Sequence, residues 1–375
     1  MKRIMILYAS VGGGHYRAAD GVKKYIDEAY PGEYKVDLID GQKYVSKTVD
    51  KIIIKSYVNM ARYSPKTWAK MYNRAEKSHS LAGFSNWLQK VLSKKLFELF
   101  KEQDPDIVIS THFFTTEMVA CLKRKGKTNC KLGVILTDYA SHKFWLSSSD
   151  LVDMYFVANE AIKYTLIHEN IPAEKIHVTG IPVRPEFLRT YDKQKVFEEF
   201  GFDNNKPTFL FFGGGQYGMS DSSLIFKGLL DVKQDIQIIA ISGKSEKNQK
   251  MFTELASKSN KKVQVLGFTD RVAELMAVSD FVVSKPGGLT TTEILVSNVP
   301  FIIFSPVPGQ EEENSAFLTN NGAAYRLYDL KKTTPLIEQL IDDKERIDNM
   351  KLMQKHIAKP YSTKSIVDVA IESIK

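Results

Sequence analysis

Lys2-Arg3-Ile4-Met5-Ile6-Leu7-Tyr8-Ala9-Ser10-Val11-Gly12-Gly13-Gly14-His15 opens the chain with a short apolar run that empties into three glycines. A strand buried on both faces of a parallel sheet reads this way, as a continuous run without polar alternation. Glycines directly after it permit a tight turn and let backbone N–H groups approach a ligand. The pattern returns about two hundred residues later, in Thr208-Phe209-Leu210-Phe211-Phe212-Gly213-Gly214-Gly215-Gln216-Tyr217-Gly218. One such unit says little. Two of them predict two α/β domains of parallel-sheet type facing a cleft, with a polar substrate between them.

Working outward, strand and helix signals alternate on both sides of a Gly-Pro cluster at 180–185. In the first half, strands are predicted at Lys2–Tyr8, Tyr34–Ile39, Ile107–Ser110, Leu132–Thr137, Met154–Ala158 and Ile176–Thr179. In the second they are predicted at Thr208–Phe212, Ile236–Ile241, Val263–Leu266, Phe281–Ser284 and Phe301–Phe304. Strands separated by helical stretches imply right-handed βαβ units. The domains are therefore expected at 1–185 and 186–359, with a last helix in 360–375 packing back on the first domain.

The chain has 375 residues, 43% hydrophobic and 26% charged, ordinary values for a globular protein with two cores. Two cysteines, Cys121 and Cys130, exclude a disulfide framework and fit a reducing cytosol. The basic start with its short apolar run reads as the first strand and not as a signal peptide. No stretch approaches the roughly 20 apolar residues of a membrane-spanning helix.

The net charge of +8 is concentrated: Lys43 to Lys101 holds thirteen Lys or Arg against three Asp or Glu. Lys43, Lys47, Lys51 and Lys55 recur at helical spacing, and so do Arg62, Lys66, Lys70 and Arg74. Tyr57, Tyr63, Trp68 and Trp87 lie among them. Such stripes suit an anionic membrane surface, and equally suit two solvated helices with aromatic cores. No nucleic-acid-binding motif accompanies them.

Four segments carry the candidate chemistry. His15 begins a helix, where the dipole disfavours the imidazolium and leaves a neutral base beside the glycine turn. Gly213 to Gln216 fits a diphosphate held by backbone N–H groups, without matching a dinucleotide fingerprint or a Walker A loop. Ser284-Lys285-Pro286-Gly287-Gly288-Leu289-Thr290-Thr291-Thr292-Glu293 joins a strand to a helix, with Glu293 placed in its first turn and suited to a ribose diol. Pro308-Gly309-Gln310-Glu311 to Asn314 offers amides and carboxylates for sugar hydroxyls, or a plain acidic helix start. Thr111-His112, Thr137-Asp138-Tyr139 and His142 are further polar groups after first-half strands. Asp138 can assist a base or act as one, or merely cap a helix.

In this order the segments resemble the processive diacylglycerol glycosyltransferases of glycosyltransferase family 28, the bacterial glucosyl- and plant galactosyl-diacylglycerol synthases. The chain is more distantly similar to the peptidoglycan glycosyltransferase that makes lipid II. The resemblance implies a GT-B fold and an inverting hexosyltransferase that needs no metal or cofactor. It implies UDP-glucose or UDP-galactose as donor and diacylglycerol as acceptor, giving membrane glycolipid at the inner face of the cell membrane. By motif position, Gly213, Gly214, Gly215 and Gln216 should embrace the diphosphate, together with Gly287 and Gly288. Phe268 and Thr269 should border the uracil, Glu293 the ribose, and Gln310 and Glu311 the sugar. His15, aided by Asp138, should be the base. Gly14, Lys47, Lys51, Lys55, Tyr57, Arg62, Lys66 and Trp68 should meet acceptor and membrane. The competing readings are a transferase for an undecaprenyl-linked acceptor, a nucleotide-sugar epimerase, a non-catalytic nucleotide-sugar sensor and a dehydrogenase.

Overall fold

A computed structural model describes residues 1–10, 13–45, 95–213 and 221–375. The expected positions Gly12, Lys47, Lys51, Lys55, Tyr57, Arg62, Lys66, Trp68, Gly214, Gly215 and Gln216 lie outside the described residues. Twelve described strands form two six-stranded sheets, and every pairing within them is parallel. The chain divides into two units. The first is Met1–Pro185 with Pro308–Gln310 and Lys359–Lys375; the second is Glu186–Val307 with Glu311–Ala358.

The first sheet runs β2-β1-β3-β4-β5-β6, with β1 Lys2–Tyr8, β2 Tyr34–Asp40, β3 Ile107–Ser110, β4 Lys131–Ile135, β5 Met154–Phe156 and β6 Ile176–His177. Ile4 to Leu7 are buried because helices cover both faces, which is why the run is apolar throughout. One of those helices is Ser362–Glu372, from the far end of the chain. Its Ile366, Val367, Ala370 and Ile371 pack with Ile4, Ile6, Val22 and Ile26 in one core. Gly180, at φ +90°, lets the chain pass under that helix: a Cβ there would lie 2.5 Å from the Cβ of Lys359.

The second sheet runs β12-β11-β10-β7-β8-β9, with β7 Thr208–Phe212, β8 Gln237–Ile241, β9 Lys262–Leu266, β10 Phe281–Ser284, β11 Phe301–Phe304 and β12 Tyr325–Leu327. Read from β9, this is the 3-2-1-4-5-6 order of a dinucleotide-binding fold. Its core is aromatic: Phe209 stacks on Phe281 at 4.6 Å, and Phe211 on Phe226 at 5.6 Å. In each sheet the first strand is flanked by strands reached in opposite directions. That reversal opens a crevice at the carboxyl ends of β1 and β3, and again at those of β7 and β10.

Candidate active site

The helix Gly14–Ala29 follows β1 in the chain, with Gly13 at its N-cap and no side chain capping it. His15 is its second residue and is partly buried against the ends of β3 and β4. Its Nδ1 lies 2.6 Å from the carbonyl oxygen of Thr111 and 3.2 Å from the Thr137 hydroxyl oxygen. A carbonyl oxygen only accepts, so Nδ1 carries the proton and Nε2 keeps its lone pair. The Thr111 hydroxyl donates back to the His15 carbonyl at 3.0 Å, fastening the two segments together. Burial pushes the imidazole pKa down to about 4, against a smaller opposing effect of the Thr111 bond. The neutral ring expected from the helix dipole is therefore present, but desolvation is the leading cause.

Two more histidines adjoin it. His112 meets the His15 ring edge-on at 4.6 Å, and its Nδ1 accepts from the Phe114 N–H at 3.1 Å, which caps the helix Phe113–Arg124. The proton of neutral His112 is therefore on Nε2. Burial, with His15 and His142 nearby, holds its pKa well below the usual range. His142 is likewise lowered to about 3, first by burial and then by His15. His112 stacks on Phe113 at 4.4 Å, and Phe113 on Phe144 at 5.2 Å. The result is a neutral, largely apolar wall beside the Nε2 lone pair of His15. Asp138 follows Thr137 on the same loop after β4 and is partly exposed.

Lys43, the first member of the basic stripe, lies in the short helix Gly41–Val45. It pairs with Asp40 at 3.2 Å and donates to Ser10 Oγ at 2.9 Å, while Ser10 also hydrogen-bonds Asp40. This lysine thus braces the end of β1.

In the second unit, the segments after β7, β9, β10 and β11 hold the other expected residues that the structure describes. Gly213 is buried at the end of β7, where its N–H donates to Ile241 O and its carbonyl accepts from Asn248 Nδ2. A Cβ there would fall 2.2 Å from Phe252 Cζ and 2.5 Å from Phe211 Cε1. Packing alone therefore demands glycine at this position. Gly287 is the N-cap and Gly288 the first residue of the helix Gly288–Ser297, again with no side-chain cap, so its leading N–H groups are open to an anion.

Glu293 corrects one expectation. The helix starts at Gly288, so Glu293 is the sixth residue and lies beyond the first turn; it is 2% exposed. Gln310 and Glu311 open the helix Gln310–Asn320. Glu311 Oε2 accepts from the Val307 N–H at 2.7 Å, and Asn314 Nδ2 donates to Pro286 O at 3.0 Å, bracing the loops after β11 and β10 together. Phe268 is 57% exposed with Lys244 Nζ 5.3 Å above its ring, and Thr269 Oγ1 accepts from the Arg271 N–H. Lys244 is a neighbour that sequence reading missed; its only signal is its place just after β8, beyond Gly243 at φ +59°.

Residues 15–183 match the monogalactosyldiacylglycerol synthase family, and residues 209–370 match the glycosyltransferase family 28 C-terminal domain. The chain is 27% identical to the processive diacylglycerol beta-glucosyltransferase of Bacillus pumilus, covering 99% of this chain and 95% of that protein. It is 29% identical to the enzyme of the same name from Bacillus cereus, covering 98% and 93%. The chain belongs to the diacylglycerol glycosyltransferases of family 28. Among solved structures, Acinetobacter baumannii MurG aligns over 99% of this chain and 100% of its own, with TM-score 0.67 at 14% identity. The UDP-GlcNAc 2-epimerase of Neisseria meningitidis aligns over 99% and 100%, with TM-score 0.65 at 15% identity. At such identities the likeness establishes the GT-B fold of this glycosyltransferase and nothing about its ligands. No helix among the described residues is long and apolar enough to cross a membrane.

Proposed function

We infer that the protein moves glucose from UDP-glucose to the free hydroxyl of diacylglycerol, inverting the anomeric centre to give a β-glucosyl lipid. The whole-chain relatives named as beta-glucosyltransferases favour glucose over galactose. The observation that carries the chemistry is His15, whose Nδ1 proton is committed to the Thr111 carbonyl, leaving Nε2 as a base.

In this reading Nε2 takes the acceptor hydroxyl proton as that oxygen attacks the anomeric carbon. The bond from that carbon to the diphosphate oxygen breaks, and UDP leaves with the bonding pair. The open N–H groups at the start of helix Gly288–Ser297 stabilise the charge gathering on the diphosphate. Such donors supply the stabilisation a metal would otherwise give, so we propose no metal. Glu293 is suited to the ribose, Phe268 and Thr269 to the uracil, and Gln310 and Glu311 to the sugar. Asp138, next to Thr137, is suited to assist the base. The lipid acceptor implies attachment to the inner membrane face, with the basic 43–101 segment contributing about 1 kcal/mol per surface-proximal cation.

The test is incubation with diacylglycerol vesicles and labelled UDP-glucose or UDP-galactose, followed by separation of the lipids. A labelled β-glucosyl lipid is expected, more from UDP-glucose than from UDP-galactose, and more on anionic vesicles at low salt. No labelled lipid from either donor would refute the reading.

A further inference from the structure

Ser305 stands apart from the other strained residues. Among the described residues four non-glycines have positive φ: Asp104, Asn170, Asn298 and Ser305. The first three are Asp or Asn at helix ends, where short polar side chains tolerate that conformation. Ser305, at φ +39°, instead follows strand β11, which is paired on both sides. Its hydroxyl donates to Asp221 Oδ2 at 2.6 Å.

Asp221 is unusual in the same way. It occupies the N-cap of helix Ser222–Leu230, yet its side chain makes no cap bond there. Elsewhere in this unit, Asp192, Ser245 and Asp343 at N-caps all accept from their own helices. The Asp221 carboxylate gives up that bond and reaches across to Ser305. Two residues later in the β11 loop, the Val307 N–H holds Glu311 Oε2. The line Asp221–Ser305–Val307–Glu311 therefore runs from the helix after β7 to a carboxylate assigned to the sugar.

We propose that Ser305 and Asp221 are positioning residues for the hexose of the donor: their bond holds the β11 loop in its strained course and thereby aims Glu311. A strained backbone persists only where its surroundings over-determine it, and this bond is the observed restraint. The proposal rests on the UDP-hexose reading above, and deepens it by separating sugar recognition from nucleotide recognition.

Calorimetry on the full chain tests it, comparing UDP with UDP-glucose for wild type, Ser305→Ala, Asp221→Ala, Asp221→Asn and the double alanine variant. Ser305→Ala and Asp221→Ala are each expected to weaken UDP-glucose about tenfold, as for loss of one charge-assisted hydrogen bond, while UDP changes less than about twofold. The double variant should be no worse than either single one, and Asp221→Asn, which keeps an acceptor oxygen, should retain most of the affinity. Equal weakening of both ligands, additive losses or an unchanged UDP-glucose affinity would each overturn the proposal. A wild-type protein that binds neither ligand would instead defeat the glycosyltransferase reading, and this proposal with it.

Discussion

The carbonyl oxygen of Thr111 accepts the Nδ1 proton of His15 at 2.6 Å, and this contact sets which face of the imidazole can act as a base. Removing the ring should leave donor binding intact and stop the transfer. His15→Ala is expected to lower kcat by about 10²- to 10⁴-fold, the usual range for a general base. UDP affinity should stay at the wild-type value. Single-turnover transfer and UDP calorimetry on the same sample check both halves.

The Thr137 hydroxyl is the second group at that nitrogen, 3.2 Å away. Thr137→Val keeps the shape and removes the acceptor. We expect kcat to fall by a few-fold, about the worth of one neutral hydrogen bond, with the KM for the donor unchanged. A rise in KM without loss of kcat would show that Thr137 serves binding.

Acid should act on both rate and stability. His15 ionises near pH 4, so kcat/KM should stay level from neutral pH down to about pH 5 and then fall. His15 and His142, at about 4 and about 3, and His112, well below its usual value, all take up protons more readily when unfolded. Their unfolded pKa is about 6.5, so stability is full above that value and drains as pH falls towards their folded pKa values. Melting temperature against pH should slope downward from about pH 6.5, and His142→Gln should flatten the slope. A melting temperature level between pH 7 and pH 5 would contradict the assignment.

Gly213→Ala should fail by collision with Phe252 and Phe211, whose ring atoms lie 2.2 and 2.5 Å from the new Cβ. A loss of about 1–3 kcal/mol is expected, as for other overpacked cores. Adding Phe252→Leu should recover much of it. Denaturant midpoints of the three proteins decide the matter; if the alanine variant keeps its stability and loses only UDP affinity, the glycine serves the ligand and not the core.

Glu293→Gln should erase any preference for UDP over 2′-deoxy-UDP, since a buried carboxylate paired with a diol loses about 1–3 kcal/mol when one charged bond goes. Excess EDTA should leave the transfer rate within about twofold if backbone donors carry the leaving-group charge, as proposed. A competition assay checks the first and a rate assay the second.

The apolar runs that announced the sheets were readable because their strands are covered on both faces, as in Ile4–Leu7 and Phe301–Phe304. β12 escaped notice: Tyr325–Leu327 is three residues long at the sheet edge, and two of the three are only half-buried, so no run forms. The histidines of the first unit were visible as polar residues after strands. What fixes His15 was not, because the partner is a backbone carbonyl, and every residue except its conformation looks alike in that respect. The helix start at Gly288, which puts Glu293 in the second turn, has no marker in the sequence, because Gly287 caps it without a side chain while Thr290, Thr291 and Thr292 each read as a possible cap. Ser305 and Asp221 lie 84 residues apart, a separation across which sequence patterning carries no signal.

The helix Ser362–Glu372 closes the core begun by Ile4 and Ile6. On the ribosome, that core stays open to water until residues 362–374 emerge, just after the second unit ends at Ala358. At about 5–20 residues per second the nascent first unit waits on the order of ten seconds for its last piece. The half bearing His15 is thus begun first, yet it closes only once the second unit has been made.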